Sequence, residues 1–316
     1  MDQQIKIGVS SCLLGKEVRY NGGHSHDRYI TGTLGDHFTF VDVCPEVEAG
    51  FGIPRETLRL VGDPDAPRLM TTKTKKDFTE KMQNWVQRRI IELEKEDLCG
   101  FIFKKGSPSS GMERVRIYTE KGIPSNRGSG MFAKAFMDHF PLIPTEEEGR
   151  LNDSVLRENF IERIFALRRW RLMAAERKSL GNMVAFHTAH KMQIMSHSVK
   201  HYRDMGRLVA MGKKVDIQSL YNQYEALFMK ALSLKATVKK NVNVLHHMAG
   251  YFKKLLSKDE KQELQEIIDQ YHKNFTPLIV PVTLFNHYVR KYDQEYLKIQ
   301  YYLNPHPIEL KLRNRA

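Results

Sequence analysis

Short apolar segments alternate with a longer amphipathic segment over the first half of the chain. Residues 5–10, 38–43, 99–104 and 114–118 have the apolar runs typical of strands, whereas residues 72–96 have helical periodicity. Thr74 is a suitable N-cap for that helix, which should end near Asp97. Such alternation is typical of βαβ units. We therefore predict an α/β fold for this half, built on a mostly parallel, Rossmann-like sheet.

The pattern changes after a segment rich in proline and glutamate, PLIPTEEEGRLND. Asp153 then precedes a long helical pattern as a good N-cap, and residues 183–212 and 219–256 have apolar positions at helical spacing. The second half should therefore be an all-α helical bundle. We place the domain boundary between residues 1–150 and 151–316.

Three loops that follow predicted strands carry sulfur or hydroxyl side chains. Cys12 follows the first strand, Cys44 follows the second, and an SPSSG loop (residues 107–111) follows the third. Because loops at the carboxyl ends of neighbouring parallel strands converge on one crevice, these side chains should share a site. Cys99 begins its strand, roughly 20 Å from the SPSSG loop at about 3.3 Å per residue, and is predicted to lie in the core.

Charge is distributed unevenly between the two halves. Residues 1–150 contain 22 basic and 22 acidic side chains, whereas residues 151–316 contain 28 and 15, so the whole net charge of +13 lies in the second half. This favours a domain that holds a polyanion such as RNA, although a merely soluble basic bundle is the alternative. The candidate phosphate contacts are Arg168, Arg169, Arg171, Lys200, Arg203, Arg207, Lys239 and Lys240.

Other features of the second half favour packing over a cofactor. Four histidines, at positions 187, 190, 197 and 201, fall near one helical face. No HExxH pattern accompanies them, so core hydrogen bonding or RNA contact is a better interpretation than zinc. Trp170 is expected to be a packing residue.

The composition also bears on location and partners. Three cysteines do not form a paired disulfide framework, no apolar run approaches the roughly 20 residues that span a bilayer, and the start of the chain lacks a signal-peptide pattern. We expect a cytoplasmic protein that does not enter the membrane. Nothing in the sequence indicates an obligate protein partner.

The segments SSCLLGKEVRYNGG, CPEVEAGFGIPR and KKGSPSSGMERVRIY resemble, in order and spacing, the signature segments of the TudS-type thiouracil desulfidases. The helical half resembles, more diffusely, the domain fused to that module in the tRNA 4-thiouridine desulfidases (RudS). The resemblance implies a [4Fe-4S] cluster held by three cysteines, with one iron open to the substrate sulfur. Cys12 and Cys44 match two ligands, Ser107 matches the catalytic serine, and Glu46 matches the acidic residue after the second ligand.

Ser110 occupies the position of the family's third cysteine. A hydroxyl is scarcely ionised near neutral pH, and soft iron–sulfur centres favour thiolates. The sequence is compatible with a family that tolerates serine here or with a deliberate cysteine-to-serine change that disables the cluster.

The resemblance implies a tRNA 4-thiouridine desulfidase that replaces sulfur with oxygen from water, without net electron transfer. Glu46 would orient the water and Ser107 would relay a proton, although Glu46 could instead be a salt-bridge partner of Arg55. Tyr20 and Asn21 are candidates for shaping the base pocket, or belong to an ordinary glycine turn. Two further alternatives are a catalytically impaired RNA-binding protein and a desulfidase of free thiouracil. A zinc nucleobase deaminase is disfavoured, because no PCxxC pair follows a histidine–glutamate element.

Overall fold

The computed structural model describes residues 4–314, with only the backbone of residues 125–127. The chain forms two compact units, Met1–Asp153 and Ser154–Ala316. The first combines sheets and helices and the second is built from helices, which confirms the predicted fold class. In the part of the chain that the structure describes, no helix is long and apolar enough to cross a membrane.

A four-stranded parallel sheet forms the centre of the first unit. Its strand order is β2-β1-β5-β8. The bounds are β1 Ile5–Ser10, β2 Phe38–Val43, β5 Phe101–Phe103 and β8 Thr145–Glu147. The pairings of Ser10 with Val43 and of Val9 with Ile102 bring the carboxyl ends of β1, β2 and β5 to one edge. That edge is where parallel sheets of this kind place their ligand sites.

A second sheet, of mixed direction, has the order β4-β3-β6-β7. Its strands are β3 Leu58–Val61, β4 Arg68–Thr71, β6 Val115–Tyr118 and β7 Pro124–Gly128. Only β3 and β6 pair in parallel, and the other two pairs are antiparallel. The apolar run of β6 predicts that strand from the sequence, but the short strands β3, β4 and β7 were not predicted.

In its described residues the first unit has three α-helices, α1 Pro45–Glu48, α2 Thr79–Glu94 and α3 Met131–His139, besides a π-helical segment, Tyr29–Leu34, and short 3₁₀ turns. The prediction that Thr74 caps α2 is wrong, because residues before Thr79 continue the β-structure through a bridge between Met70 and Asp77. The Thr74 hydroxyl instead donates to Glu56 at 2.7 Å. The helix also ends earlier than predicted, at Glu94.

The second unit contains eight α-helices in the described residues. They are α4 Ser154–Ala175, α5 Leu180–His197, α6 Val199–Ala210, α7 Ile217–Ser233, α8 Val238–Tyr251, α9 Lys258–His272, α10 Ile279–Lys291 and α11 Glu295–Lys298. Both long helical stretches predicted from the sequence are interrupted. Ser198 is extended, with φ −162°, and its hydroxyl accepts from His201 N, so it ends α5 and caps α6. Thr237 caps α8 in the same way after the break that follows α7. Side-chain capping of a new first turn offsets the missing helical bonds.

Trp170 belongs to the core of the helical unit. It is 2% exposed and stacks on Tyr224 with ring centroids 5.3 Å apart. The packing role expected for this side chain is therefore the one that the structure shows.

Close contact between β1 and β5 depends on Gly8. A Cβ atom at this position would lie 2.1 Å from Phe101 Cδ2, inside a cluster of stacked phenylalanines. We expect Gly8→Ala to lower the free energy of unfolding of the first unit by about 1–3 kcal/mol through overpacking. Chemical denaturation would measure this. Gly32→Ala is the control, because a Cβ there meets nothing within 4 Å. Equal stability of the two variants would contradict the packing argument.

Candidate active site

A cavity of about 270 Å³ lies at the edge of the parallel sheet where β1, β2 and β5 end. Most of the site residues predicted for the first unit contribute to its wall: Cys12, Tyr20, Cys44, Glu46, Ser107 and Ser110. Asn21 does not line it; its side-chain oxygen accepts from Gly23 N at 3.2 Å and shapes the turn. Cys99 lies elsewhere, fully buried, as expected of a core residue.

The two cavity thiols are held in different ways. Cys12 lies in a short 3₁₀ turn, Ser11–Leu14, directly after β1 and is 8% exposed, whereas Cys44 is the residue before α1. Burial raises the pKa of Cys12 to about 11, opposed in part by the positive charge of Lys104. Burial also raises the pKa of Cys44. Both thiols are therefore protonated near neutral pH, and a thiophilic metal would have to displace their protons.

Backbone hydrogen bonds fix the SPSSG loop against the start of α3. Ser107 Oγ accepts from the N–H groups of Ser109 and Ser110, at 3.3 and 3.1 Å. Gly111 N donates to Ser107 O at 2.8 Å, and Gly130 N donates to Gly111 O at 2.8 Å. A Cβ at Gly130 would fall 2.5 Å from the carbonyl carbon of Ser109, so glycine permits the close approach. The loop thus points its serines into the cavity with little freedom.

A directed chain of hydrogen bonds connects Glu46 to this loop. Arg55 Nε donates to Glu46 Oε2 at 2.9 Å, and its terminal nitrogen forms an ion pair with the same oxygen. Glu46 Oε1 accepts from Ser109 Oγ at 2.9 Å, and Ser109 Oγ lies 3.0 Å from Ser107 Oγ. Because Ser109 has one hydroxyl hydrogen and donates it to Glu46, the Ser107 hydroxyl is the donor to Ser109.

The sequence pattern alone assigns no role to Ser109 beyond being one of the loop hydroxyls. The side chain is 1% exposed and joins the two predicted catalytic residues, which lie more than 60 positions apart in the chain. The alternative predicted for Glu46, a salt bridge with Arg55, is also present. The two interpretations are compatible, because Arg55 uses Oε2 and leaves Oε1 to the serines.

The predicted phosphate-binding residues occupy different environments. Lys200, Arg203 and Arg207 are exposed on one side of α6, opposite the buried Met205 and Val209. We call these three residues the α6 basic row. Lys239 is also exposed, and Arg168 and Arg171 are half-buried.

Two of the predicted basic contacts are engaged within the helical unit. Arg169 donates to His190 Nε2 at 3.1 Å and to Pro305 O at 2.8 Å, and its guanidinium lies over the ring of Tyr301. Lys240 Nζ donates to His197 O at 2.7 Å. A phosphate contact would break these bonds, so the structure disfavours both residues as phosphate ligands.

Three of the four histidines are buried, with side-chain or backbone partners. His187 Nδ1 lies 3.0 Å from Tyr224 Oη, and His190 Nδ1 lies 2.8 Å from Phe186 O. Burial lowers the pKa of His187 to about 4. His187 and His190 are therefore neutral core groups at physiological pH.

The donor set of the first cavity does not fit a cluster held by three thiolates. Two thiols and one hydroxyl, those of Cys12, Cys44 and Ser110, line the same wall, and Cys99 is remote from it. Across residues 4–314, no group of three or more His, Cys, Asp or Glu side chains is arranged to hold a metal ion. The third thiolate is missing because residue 110 is a serine.

Comparison with known proteins relates each half of the chain to a protein family. Residues 7–148 match the family described as 2-thiouracil desulfurase. The chain is also 33% identical over 152 residues to the uncharacterised protein YbbK of Bacillus subtilis (strain 168), covering 98% of that protein and 46% of this one. This chain belongs to the 2-thiouracil desulfurase family.

The second half carries a further family domain. Residues 191–307 match DUF1722, a protein family of unknown function. The uncharacterised protein YbgA of Escherichia coli (strain K12) is 31% identical over 166 residues, covering 95% of that protein and 52% of this chain. The chain therefore joins a desulfurase domain to a DUF1722 domain.

One solved structure is similar to part of the chain. It is described as the [4Fe-4S]-dependent thiouracil desulfidase TudS, is 26% identical, and aligns with 94% of its own length and 47% of this chain at a TM-score of 0.39.

Ser110→Cys should complete a three-thiolate donor set in the desulfurase domain. After anaerobic reconstitution with iron and sulfide, we expect this variant to bind more iron and labile sulfide than the parent chain, because thiolates are the preferred ligands of iron–sulfur centres. Metal and sulfide analysis measures both.

Ser129→Cys is the matched control for this experiment. Ser129 directly follows β7, its hydroxyl donates to Met112 O at 2.7 Å, and it does not line the cavity. Equal iron content in the parent chain and Ser110→Cys, or an equal gain of iron in Ser129→Cys, would contradict the inference that residue 110 occupies the position of the missing thiolate ligand.

Proposed function

We propose that this protein removes sulfur from 4-thiouridine in tRNA by hydrolysis. The observation that carries the proposal is the hydrogen-bond chain Arg55–Glu46–Ser109–Ser107, which ends in the cavity that also holds Cys12 and Cys44. It combines a carboxylate base, a proton path and a pair of sulfur ligands at one strand edge. Family membership supports a desulfurase reaction, and the basic helical domain supports RNA as the substrate carrier.

Hydrolysis requires that a water attack the thiocarbonyl carbon and lose protons as the carbon–sulfur bond breaks. The products are a carbonyl group and hydrogen sulfide, so one water is consumed and no electrons are transferred. In the proposed step, Ser107 accepts a proton from the attacking water while passing its own to Ser109, and Ser109 passes one to Glu46 Oε1. That proton returns to the departing sulfur, which also takes the second proton of the water, so hydrogen sulfide leaves and Glu46 is ionised again. Arg55 keeps Glu46 oriented by occupying its other oxygen, as a base needs a fixed geometry toward the proton that it receives.

Two backbone N–H groups strengthen this role of Ser107. The N–H groups of Ser109 and Ser110 both point at Ser107 Oγ, where they would stabilise negative charge during proton transfer. Ser109 is shielded from solvent, which keeps the proton on the path. The thiols of Cys12 and Cys44 lie on the same cavity wall, where the leaving sulfur would be received.

Ser109→Ala should interrupt proton transfer while leaving both ends of the hydrogen-bond chain, Glu46 and Ser107, in place. We expect turnover of 4-thiouridine to fall on the order of 10²-fold, as is common when general base catalysis is removed, with little change in tRNA affinity. Nucleoside mass spectrometry of treated tRNA measures the removal of sulfur. The test uses the parent chain or the reconstituted Ser110→Cys chain, whichever turns over.

The matched control is Ser129→Ala, which removes a nearby hydroxyl outside the cavity. A shift in the pH dependence of turnover in Ser109→Ala, absent from Ser129→Ala, would distinguish proton transfer from a structural effect. Turnover of Ser109→Ala within about twofold of its parent would refute the relay, since general base catalysis contributes far more than that.

The α6 basic row is the best supported contact for the tRNA backbone. Its three side chains are exposed at spacings of three and four residues, and in the described part of the chain Arg207 is the one member of the row that pairs with a carboxylate, that of Asp204 at 3.7 Å. Spacing of this kind aligns charges along one helix face. Since phosphate contacts fix the position of a nucleic acid without reading its sequence, this row would hold tRNA while a base is extracted.

Alanine at all three positions of the α6 basic row should weaken tRNA binding and reduce its salt dependence. The slope of log affinity against log salt should decrease by up to about three, near one for each phosphate that the variant no longer neutralises. Titration of tRNA at several salt concentrations measures this.

A triple alanine variant elsewhere on the helical unit provides the control. Three exposed lysines near or on α9 serve this purpose: Lys253, Lys258 and Lys261. An equal reduction of the slope in both triple variants would show that only net charge matters and would remove the specific role of α6.

A catalytically impaired RNA-binding protein is the second candidate, favoured by the single observation that Ser110 stands where a third thiol is expected. It predicts tRNA binding without turnover in the parent chain. Recovery of turnover in Ser110→Cys would identify the parent as an impaired desulfidase.

A further inference from the structure

A further cavity, of about 350 Å³, lies in the desulfurase domain beside the one that holds the two thiols, which we call the thiol cavity. The two cavities share Leu58, Gly106 and Pro108, so they adjoin where β3 begins and where the SPSSG loop begins. The rest of the further cavity is lined by residues of β3 and β6 and by the residue before β6. The proposed hydrolysis uses none of these side chains.

Three arginines dominate this wall, and we call the cavity the arginine groove. Arg59 belongs to β3, Arg116 belongs to β6, and Arg114 directly precedes β6. Leu60 pairs in parallel with Ile117, so one position earlier in both strands places Arg59 beside Arg116 on the same face of the sheet. Like charges side by side in a sheet are destabilising. No acidic side chain is among the described residues that line the groove, so nothing there offsets the repulsion.

Arg59 is a half-buried cation whose donors lack an acceptor. Its Nε is buried and has no hydrogen-bond partner in the described part of the chain. The guanidinium lies over the ring of Tyr118, with the guanidinium carbon 5.3 Å from the ring centroid. A cation–π contact of this kind holds the group in place, but it neither removes the charge nor accepts an N–H. A buried donor without an acceptor is costly, so the groove lacks an acceptor at this point.

The other two arginines are also open to a ligand. Arg116 is exposed, and within the described residues it forms no ion pair. The side chain of Arg114 is 72% exposed, and its Nε lies 3.8 Å from Glu113 Oε1, an oxygen that already pairs with Arg150 at 2.7 Å. Exposed pairs at such distances are weak. All three guanidinium groups can therefore donate into the groove at little cost.

A phosphate group supplies what the groove lacks. It carries negative charge and several acceptor oxygens, and the planar fork of arginine donates to such oxygens in pairs. Three guanidinium groups around one cavity exceed what a single carboxylate can accept, and the volume leaves room for a ribose beside the phosphate. Because the groove adjoins the cavity expected to receive the thiobase, the phosphate most readily placed there is that of the nucleotide that carries the base or of its neighbour.

We propose that the arginine groove binds the sugar–phosphate backbone of the substrate strand whose thiobase enters the thiol cavity. The inference rests on the proposed function and deepens it, because the desulfurase domain would itself recognise a polynucleotide. Free thiouracil has no phosphate and would not make this contact. A free nucleotide offers the same phosphate chemistry as RNA, and the experiment separates the two sources.

Binding of a uridine hexanucleotide to the full chain tests the proposal without any sulfur removal. The double variant Arg114→Gln/Arg116→Gln should weaken affinity on the order of tenfold. It should also lower the slope of log affinity against log salt by up to about 1.4, near 0.7 for each single-strand phosphate that is no longer neutralised. Both side chains are exposed, so the fold should be retained. Fluorescence anisotropy at several salt concentrations measures both quantities.

The matched control is Arg88→Gln/Lys95→Gln. It removes two exposed positive charges on and directly after α2, and neither residue lines the thiol cavity or the arginine groove. The α6 basic row is intact in both double variants, so a difference between them belongs to the desulfurase domain. Equal affinities of the two double variants, or no loss of affinity in Arg114→Gln/Arg116→Gln, would overturn the proposal.

Arg59→Lys separates recognition by the arginine fork from attraction by charge. Lysine keeps the positive charge but cannot donate in the paired geometry of a guanidinium. We expect weaker binding of the hexanucleotide with little change in the salt slope. Affinity equal to that of the parent chain would count against the proposal, because the unpaired fork of Arg59 is what a phosphate would satisfy. Thermal unfolding of the variant checks that its fold is retained.

Uridine monophosphate and uridine distinguish the two sources of phosphate. A loss of affinity in Arg114→Gln/Arg116→Gln that is confined to the hexanucleotide indicates RNA, whereas an equal loss for the monophosphate, absent for uridine, indicates the free nucleotide; either supports a phosphate site. If the variants discriminate in binding but no thiouridine is converted, the proposed function fails and the groove remains. If turnover of thiouridine in tRNA is unaffected by the double variant and binding is unchanged, the groove fails alone.

Discussion

Parallel pairing of β1 with both β2 and β5 is the constraint on which the first unit depends. It brings three loops that are distant in sequence to one edge of the sheet, and it thereby creates the cavity. The pairing in turn requires glycine at position 8, where the phenylalanine cluster of β5 packs against β1. The cysteine thiols and the serine hydroxyls of the cavity come together because of backbone hydrogen bonds between strands that lie behind them.

The two functions proposed for the SPSSG loop depend on different atoms of it. The proposed proton transfer would use the hydroxyls of Ser107 and Ser109, which Arg55 orients through Glu46. Metal ligation would use the side chain of residue 110, which is a serine. The hydrogen-bond chain is complete in this protein, whereas the thiolate set is not.

Much of the architecture could be predicted from the sequence, because apolar runs and loop residues follow simple periodicities. The strands β1, β2 and β5, the site residues that follow them and the helical second half were all predictable in this way. The break at Ser198 was not, because a continuous helical pattern and a capped interruption have the same apolar spacing. Ser109 gained its role only from a partner far away in the chain, and Arg169 is enclosed by the bundle instead of facing a phosphate. Contacts between distant residues leave no local signature.

The SPSSG loop obtains its shape from the backbone of Ser110 and not from its hydroxyl. Ser110 N donates to Ser107 Oγ, and Gly130 admits the loop to its close contact with α3. The identity of residue 110 is thus separable from the conformation that carries it. A lineage could exchange cysteine and serine here in either direction and retain the same proton path, so that dependence on a metal cluster would be a trait gained or lost by one codon on an unchanged scaffold.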